Sequence, residues 1–408
     1  MLTAPTSTLL AARTLSRPPA LGTRPLPSRV GRYLLFDHVG RGGMADIYLA
    51  RVETELGGSR RVIVKEVLPK HAENSVFSAM LVAEAKLAAG LSHANVVTVE
   101  DLGREGGALY IAMEYVEGFD LRELCRRCSQ AGVPLPIEFS LFMVMETLRG
   151  LDYAHRKKLV HRDVSPSNVL ISFEGEVKIC DFGIARANAE SELDEETVRG
   201  KAGYMSPEHA RGGDVDARAD VYAAGIILWE LLSGRRYYRA AQGEKLIDVA
   251  RRAEQKPLIS RGLPKEKELH NIVYRALEID REVRYQTAGA MLRDLEAYAT
   301  RSGQYTSPLR FGEWLMERFG AEIVELRRTR ERAAWGLTHK ALPRVMLPEG
   351  SPIPPPVAPV EIRKTGTFAK VAIARKAKAT ARAWVAYLLA VAAATVMAIW
   401  CALSTGSG

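Results

Sequence analysis

The sequence predicts an α+β chain in two lobes, a small β-rich one followed by a larger helical one, with a single apolar helix near the C-terminus. Three observations predict it. Between residues 33 and 117, runs of β-branched and aromatic residues alternate with glycine turns. After Gly118, apolar residues recur at i, i+3, i+4 and i+7, or nearly all round, as buried helices require. From Ala383 to Leu403 there are 21 residues without a charge.

The first 32 residues carry five Arg and no acid among many Pro, Ser and Thr. Their apolar run LLAA is too short for a secretory signal. An acid-free, Arg-rich start also suits an organellar transit peptide, but a disordered basic arm is the expectation. From Tyr33 three strands follow, YLLFDHVG, DIYLARV and RRVIVKEVL, with a turn at Gly57 and Gly58 between the last two. A helix is expected from Val76 to Ala89, then a hairpin of VVTVEDLG and ALYIAMEYV about Gly106 and Gly107. PIEFSLFMVMETLRGLDYAH and ADVYAAGIILWELLSG read as buried helices, and the helical lobe closes near Thr300. Residues 301–382 read as a mixed stretch, a Pro-rich semi-rigid linker at 347–360 and a basic stretch.

At a rise of 1.5 Å per residue the apolar helix 383–403 would span about 31 Å, matching a hydrocarbon core. Trp384 and Trp400 lie near its ends, where membrane interfaces favour aromatics. With five residues after it, little remains to bury a core helix, so a transmembrane anchor with a short external tail at 404–408 is expected. The basic stretch 363–382 and the folded body would then stay cytoplasmic, the former attracting anionic lipid. The net charge of +9 is concentrated at the ends, with +5 in residues 1–32 and +6 in 360–382, leaving −2 for the body. A near-neutral body argues against a nucleic-acid-binding core. Four cysteines make no disulfide scaffold in a chain this long. Cys125 and Cys128 have C-x-x-C spacing but no second pair, and they fall in an expected helix, while Cys180 is expected on a strand.

Four motifs carry chemistry. GRGGMADIY follows a strand from Gly40, and its glycines would let backbone N–H groups approach phosphate oxygens. Lys65 lies on a strand where its ammonium could neutralise phosphate, and Glu84 on the next helix could hold it. Strand lysines are commonly just solvated and helical glutamates commonly surface decoration, so each motif alone is weak. HRDVSPSN, from His161 to Asn168, and DFG, from Asp181 to Gly183, make the conjunction specific.

Through these motifs the chain resembles the eukaryotic-type protein kinases, specifically the bacterial Ser/Thr branch with its many membrane-anchored members, over residues 33–300. The resemblance implies the bilobal protein-kinase fold, ATP with Mg²⁺ or Mn²⁺, and protein substrates. The roles below are those the resemblance implies, carried over by position. Val39, Gly40, Arg41, Gly42, Gly43, Met44, Ala45, Asp46 and Ile47 would form the loop over the nucleotide. Ala45 stands at the third glycine position, a mild departure. Ile63, at a place usually held by Ala, would roof the adenine with Ile47. Met113 would be the gatekeeper, and Glu114 and Val116 the hinge that hydrogen-bonds adenine. Lys65 would pair with Glu84, Asp163 would accept or orient the substrate hydroxyl proton, and Asn168 and Asp181 would hold the metal. Glu208 would pair with Arg284, and Asp220 would brace the catalytic loop.

Two departures are reciprocal. Ser165 stands where the family has a phosphate-touching lysine, and Lys201 stands where it has a threonine in contact with that lysine. Lys201 would then reach across to supply the missing charge, since a lysine is a movable point charge. Between Asp181 and Glu208, Glu190, Glu192, Asp194, Glu195 and Glu196 flank Ser191 and Thr197. This acidic run reads as solvated, or as one that Arg162 would order, directly or through phospho-Thr197. An active kinase is therefore expected, with an ATP-binding pseudokinase scaffold as the rival class. Oligomeric state, a dimer included, is left open.

Overall fold

The structure, a computed structural model, describes residues 24–42, 44–53, 58–68, 75–182 and 202–340. Gly43, Gly183, Lys201, the side chain of Glu84, the acidic run with Thr197, and the apolar segment 383–403 lie outside the described residues. Among the described residues no helix is long and apolar enough to cross a membrane.

The N-terminal lobe is one antiparallel sheet in the order β1-β2-β3-β4-β6-β5. Its strands are β1 (Ser28–Val30), β2 (Tyr33–Arg41), β3 (Ala45–Glu53), β4 (Ser59–Val67), β5 (Val99–Glu105) and β6 (Ala108–Glu114). Helix α1 (Ser75–Ala89) connects β4 to β5. Period-two alternation sends Tyr33, Leu35, Tyr48, Val62, Val64 and Ala112 into a common core. Folded structure begins earlier than Tyr33. Strand β1 pairs with β2, and Arg24 hydrogen-bonds and ion-pairs with Glu66, so the inner end of the basic arm is part of the lobe.

After the connector 115–117, the C-terminal lobe opens with β7 (Gly118–Asp120), which pairs with β8 (Val169–Ser172); β8 in turn pairs with β9 (Val177–Ile179). Helix α2 (Leu121–Ala131) is capped by Asp120, whose carboxylate accepts from the Glu123 N–H at 2.8 Å. The centre of the lobe is α3 (Ile137–Arg156) packed on α5 (Ala217–Ser233), both buried on most faces as their all-round apolar sequences require. Short α4 (Pro207–Ala210) precedes α5, and α6 (Leu246–Arg252), α7 (Glu266–Ala276) and α8 (Ala288–Ser302) complete the lobe.

The stretch after residue 300, read only as mixed from the sequence, takes a definite form over its first part. Pro308–Lys340 is one helix of 33 residues, α9. Phe311, Trp314, Leu315, Phe319 and Ile323 bury its inner face in the C-terminal core, where Phe311 stacks on Phe139 at 4.9 Å. Full burial of such side chains stabilises by about 1.5–3 kcal/mol each, which fixes the helix to the lobe. Cys125 and Cys128 are helical as expected, and burial pushes their thiols up to about 12 and about 11. Cys180 lies one residue beyond β9, buried.

Candidate active site

The β2–β3 turn is closed by the Gly42 N–H donating to the Ala45 carbonyl at 2.8 Å. A Cβ on Gly40 would meet nothing within 4 Å, so the packing of the chain itself does not demand glycine there. Open space there leaves room for a group to approach the backbone. Arg41 and Asp46 do not point their charges at such a group. Arg41 donates twice to the Asp46 carboxylate, at 2.6 and 2.7 Å, and His38 lies 3.2 Å from it. Burial would raise the Asp46 carboxyl, but hydrogen bonds from Arg41 and His38 outweigh it and hold the group below its ordinary value. Any part these two residues play toward a nucleotide is thus through the backbone of a turn they brace.

Register places the wall. Ile47 lies opposite Lys65, and Ile63 opposite Met113. Alternation along β4 then sets Ile63 and Lys65 on one face. Buried Met113 packs with Val97 and Cys180, and Ile63, Val116 and Leu170 cover the same cluster. Leu170, which motif reading missed, joins this cluster from the opposite lobe; its position two residues after Asn168 on a strand is the signal that could have found it. The Glu114 carboxylate receives Lys178 at 2.8 Å and the Thr98 N–H at 3.2 Å.

The catalytic loop is held from beneath by Asp220 on α5. Its carboxylate accepts the His161 and Arg162 N–H groups, each at 2.8 Å, and lies 2.7 Å from His155 Nε2. Burial acts to raise this carboxyl, and the hydrogen bonds from His155 and the His161 backbone overcome it, leaving it below its ordinary value. The buried His161 ring donates at Nε2 to the Cys180 carbonyl at 2.9 Å and accepts the Asp163 N–H at Nδ1, 3.2 Å away. It also packs on Phe182 with ring centroids 4.6 Å apart. One ring thus ties Asp163 to the segment carrying Asp181. Arg162 and Asp181 adopt left-handed backbone at φ 64° and 62°, strained for side chains of this kind and tolerated where the surroundings over-determine them.

Four expected residues, Asp163, Asn168, Asp181 and Lys65, converge here. Asn168 Nδ2 donates to the Asp163 carbonyl at 2.8 Å and its carboxylate at 3.1 Å, which turns the Asn168 carbonyl oxygen the other way. The Asn168 backbone oxygen accepts from Cys180 N at 2.9 Å, fixing it beside Asp181. Lys65 ion-pairs with Asp181 across the cleft; its expected pairing with Glu84 involves a side chain outside the described residues. The metal pair expected at Asn168 and Asp181 offers an amide oxygen and a carboxylate, hard oxygen donors that suit a small divalent cation shared with phosphate. Ser165 is buried, with its hydroxyl 3.1 Å from that of Ser167. Arg284 donates to both Glu208 carboxylate oxygens, at 2.7 and 3.1 Å, as the motif reading expected.

Comparison with known proteins agrees with this geometry. The chain is 36% identical over 314 residues to the tyrosine-protein kinase MasK of Myxococcus xanthus, covering 74% of this chain and 48% of that one. It is 36% identical over 270 residues to the serine/threonine-protein kinase PrkC of Bacillus subtilis, covering 65% and 40%. The chain thus spans less than half the length of these curated relatives. Among solved structures, the PknI kinase domain of Mycobacterium tuberculosis superposes with a TM-score of 0.53 at 27% identity, covering 68% of this chain and 99% of that one. With the family model for the protein kinase domain matching residues 33–294, the chain belongs to the protein kinase family.

Proposed function

We propose that the chain is an ATP-dependent protein kinase that phosphorylates Ser and Thr side chains. The observation that carries this reading is the convergence of Lys65, Asp163, Asn168 and Asp181 on one cleft, with Asp163 and Asn168 hydrogen-bonded and Lys65 facing Asp181. Bound Mg-ATP would supply the γ-phosphoryl group and part of its charge neutralisation. The apolar cluster of Ile63, Met113, Val116 and Leu170 would offer an adenine an apolar surface, with the segment Glu114–Val116 beside it. Lys65 would neutralise phosphate oxygens, while Asn168 and Asp181 would hold the cation. Asp163 would orient the attacking hydroxyl and receive its proton. This is catalysis by positioning and charge neutralisation, with little covalent work for the protein.

One relative bears a tyrosine-kinase name, whereas SPSN lacks the arginine pattern of tyrosine kinases. The deciding experiment is transfer from labelled ATP to the chain itself and to a generic basic protein, followed by phosphoamino-acid analysis. Phosphoserine and phosphothreonine are expected, with Asp163→Ala reducing the rate by about 10²–10⁴-fold. Phosphotyrosine alone overturns the Ser/Thr reading. Nucleotide binding without transfer establishes the pseudokinase.

The uncharged 21-residue run and its interfacial tryptophans also support a single membrane anchor with the kinase domain on the cytoplasmic side. Deleting 383–403 is expected to move the chain from the membrane to the soluble fraction of a cell lysate. An unchanged distribution refutes the anchor.

A further inference from the structure

Helix α9 lies outside the matched kinase domain, yet it contacts three parts of it in sequence. Its first turns bury Phe311, Trp314 and Phe319 in the C-terminal lobe. Midway, Arg327 pairs with Glu117 of the connector at 3.2 Å and with Glu174 of the β8–β9 turn at 2.6 Å. One turn further on, Arg330 donates to the Tyr115 hydroxyl and lies 5.5 Å from its ring centroid. Then Ala333 and Ala334, small enough to let the helix approach the sheet, pack with Phe36 and Leu49 of the N-terminal lobe.

Tyr115 is the residue between Glu114 and Val116, so its side chain is the handle by which that segment is held. Arg61 of β4 lies 5.4 Å from the same ring and donates to Glu117 at 3.1 Å. Burial pushes the Tyr115 phenol above its ordinary value, which keeps it a hydroxyl that accepts from Arg330. The Nε of Arg330 is buried without a hydrogen-bond partner among the described residues.

We infer that α9 is an interlobe clamp, and that Arg330 is a positioning residue which holds the hinge through Tyr115 and so sets nucleotide affinity. The inference rests on reading Glu114–Val116 as the segment that meets the adenine. A helix fixed to one lobe and packed on the other limits their relative rotation, and a hinge gripped at its middle keeps its backbone donors and acceptors aimed into the cleft. Preorganisation of this kind acts on affinity by lowering the cost of ordering the site on binding.

The test uses the full chain with Arg330→Ala, Arg330→Lys and Tyr115→Phe, after thermal melts show each variant folded. Hydrogen exchange is followed at residues 114–117 without nucleotide, and Mg-ADP and Mg-ATP binding is titrated directly. Arg330→Ala is expected to speed exchange at the hinge and weaken nucleotide binding by roughly three- to tenfold. The KM for ATP should rise in step while kcat stays within about twofold, the pattern of lost ground-state binding. Arg330→Lys, which keeps the charge, and Tyr115→Phe, which keeps the ring, should fall between. Unchanged hinge exchange in Arg330→Ala overturns the clamp. Faster exchange with unchanged nucleotide affinity overturns the positioning role. A wild-type chain that binds nucleotide but transfers no phosphoryl group overturns the proposed kinase activity alone, since exchange and titration still decide the clamp.

Discussion

At Ser165, where the resemblance implies a lysine, and Lys201, where it implies a threonine, the sequence departs from the family at two single residues. Loss of one charged donor from such a site typically costs about 2.7–4 kcal/mol in the transition state, enough to cripple an enzyme if nothing replaces it. In the structure Ser165 begins the 3₁₀ turn Pro166–Asn168 in extended conformation, its hydroxyl spent on Ser167. The frame around it is intact, since Asp220 still holds the loop and Asn168 still reaches Asp163. A preserved frame with a missing charge is the situation in which a lysine from another segment has something to restore. Replacing Lys201 with Ala is therefore expected to lower autophosphorylation by about 10²–10³-fold. The double change Ser165→Lys with Lys201→Thr should retain activity. A Lys201→Ala enzyme working at the wild-type rate ends the exchange hypothesis.

At the scale of elements, α9 depends on a reciprocal close approach. A Cβ on Gly312 would lie 2.8 Å from the Glu174 carbonyl carbon. One on Gly175, whose φ is +87°, would lie 1.9 Å from the Pro308 oxygen. Both neighbours are backbone and neither can swing aside. Gly312→Leu should thus cost about 1–3 kcal/mol, read as a lower urea midpoint, while Glu325→Ala on the exposed face stays within about 0.5 kcal/mol. Equal midpoints for the two variants would show that α9 does not need this contact. The helix also marks the limit of what the sequence makes legible. Strand alternation, the glycine hairpin and the kinase motifs could be read locally, and the family resemblance those motifs carry implied Asp220 beneath the loop and the Glu208–Arg284 pair. The spacing of Phe311, Trp314, Leu315, Phe319 and Ile323 also fits one helical face, but dense Arg and Glu between them obscure it. Nothing local says that the helix crosses the hinge, because its last anchors, Phe36, Leu49 and Tyr115, are far away in sequence. Strand β1 is too short to show a period, and the Arg41–Asp46 pairing depends on how the turn closes.

For the whole molecule, the shifted groups set a pH window for stability. Asp46, Asp220 and Glu208 are each pushed up by burial and held below their ordinary values by their partners' hydrogen bonds and charges, which together outweigh it. His93 is also lowered, first by burial and then by the charge of Arg156. A lowered folded pKa means that the unfolded chain binds the proton more readily, so the stabilisation is present above the unfolded pKa and lost as pH falls through the folded one. Acid loss should begin near about pH 6.5 with His93 and steepen below about pH 4 as the carboxylates protonate. The opposite sign holds for Tyr204, Tyr222 and Tyr285, all raised chiefly by burial. Their stabilisation is present below the unfolded phenol pKa of about 10 and is lost as pH rises above it. Both lobes carry the acid-sensitive groups, Asp46 in the N-terminal and Asp220 and Glu208 in the C-terminal, whereas these three tyrosines all lie in the C-terminal lobe. Urea midpoints measured from pH 3 to pH 11 should therefore form a plateau between about pH 7 and pH 9, with lower values on either side. Intrinsic tyrosine absorbance should show phenolate appearing together with unfolding on the alkaline side. Stability that keeps rising between pH 9 and pH 11, or an acid limb that is flat down to pH 3, contradicts the assignment of these groups.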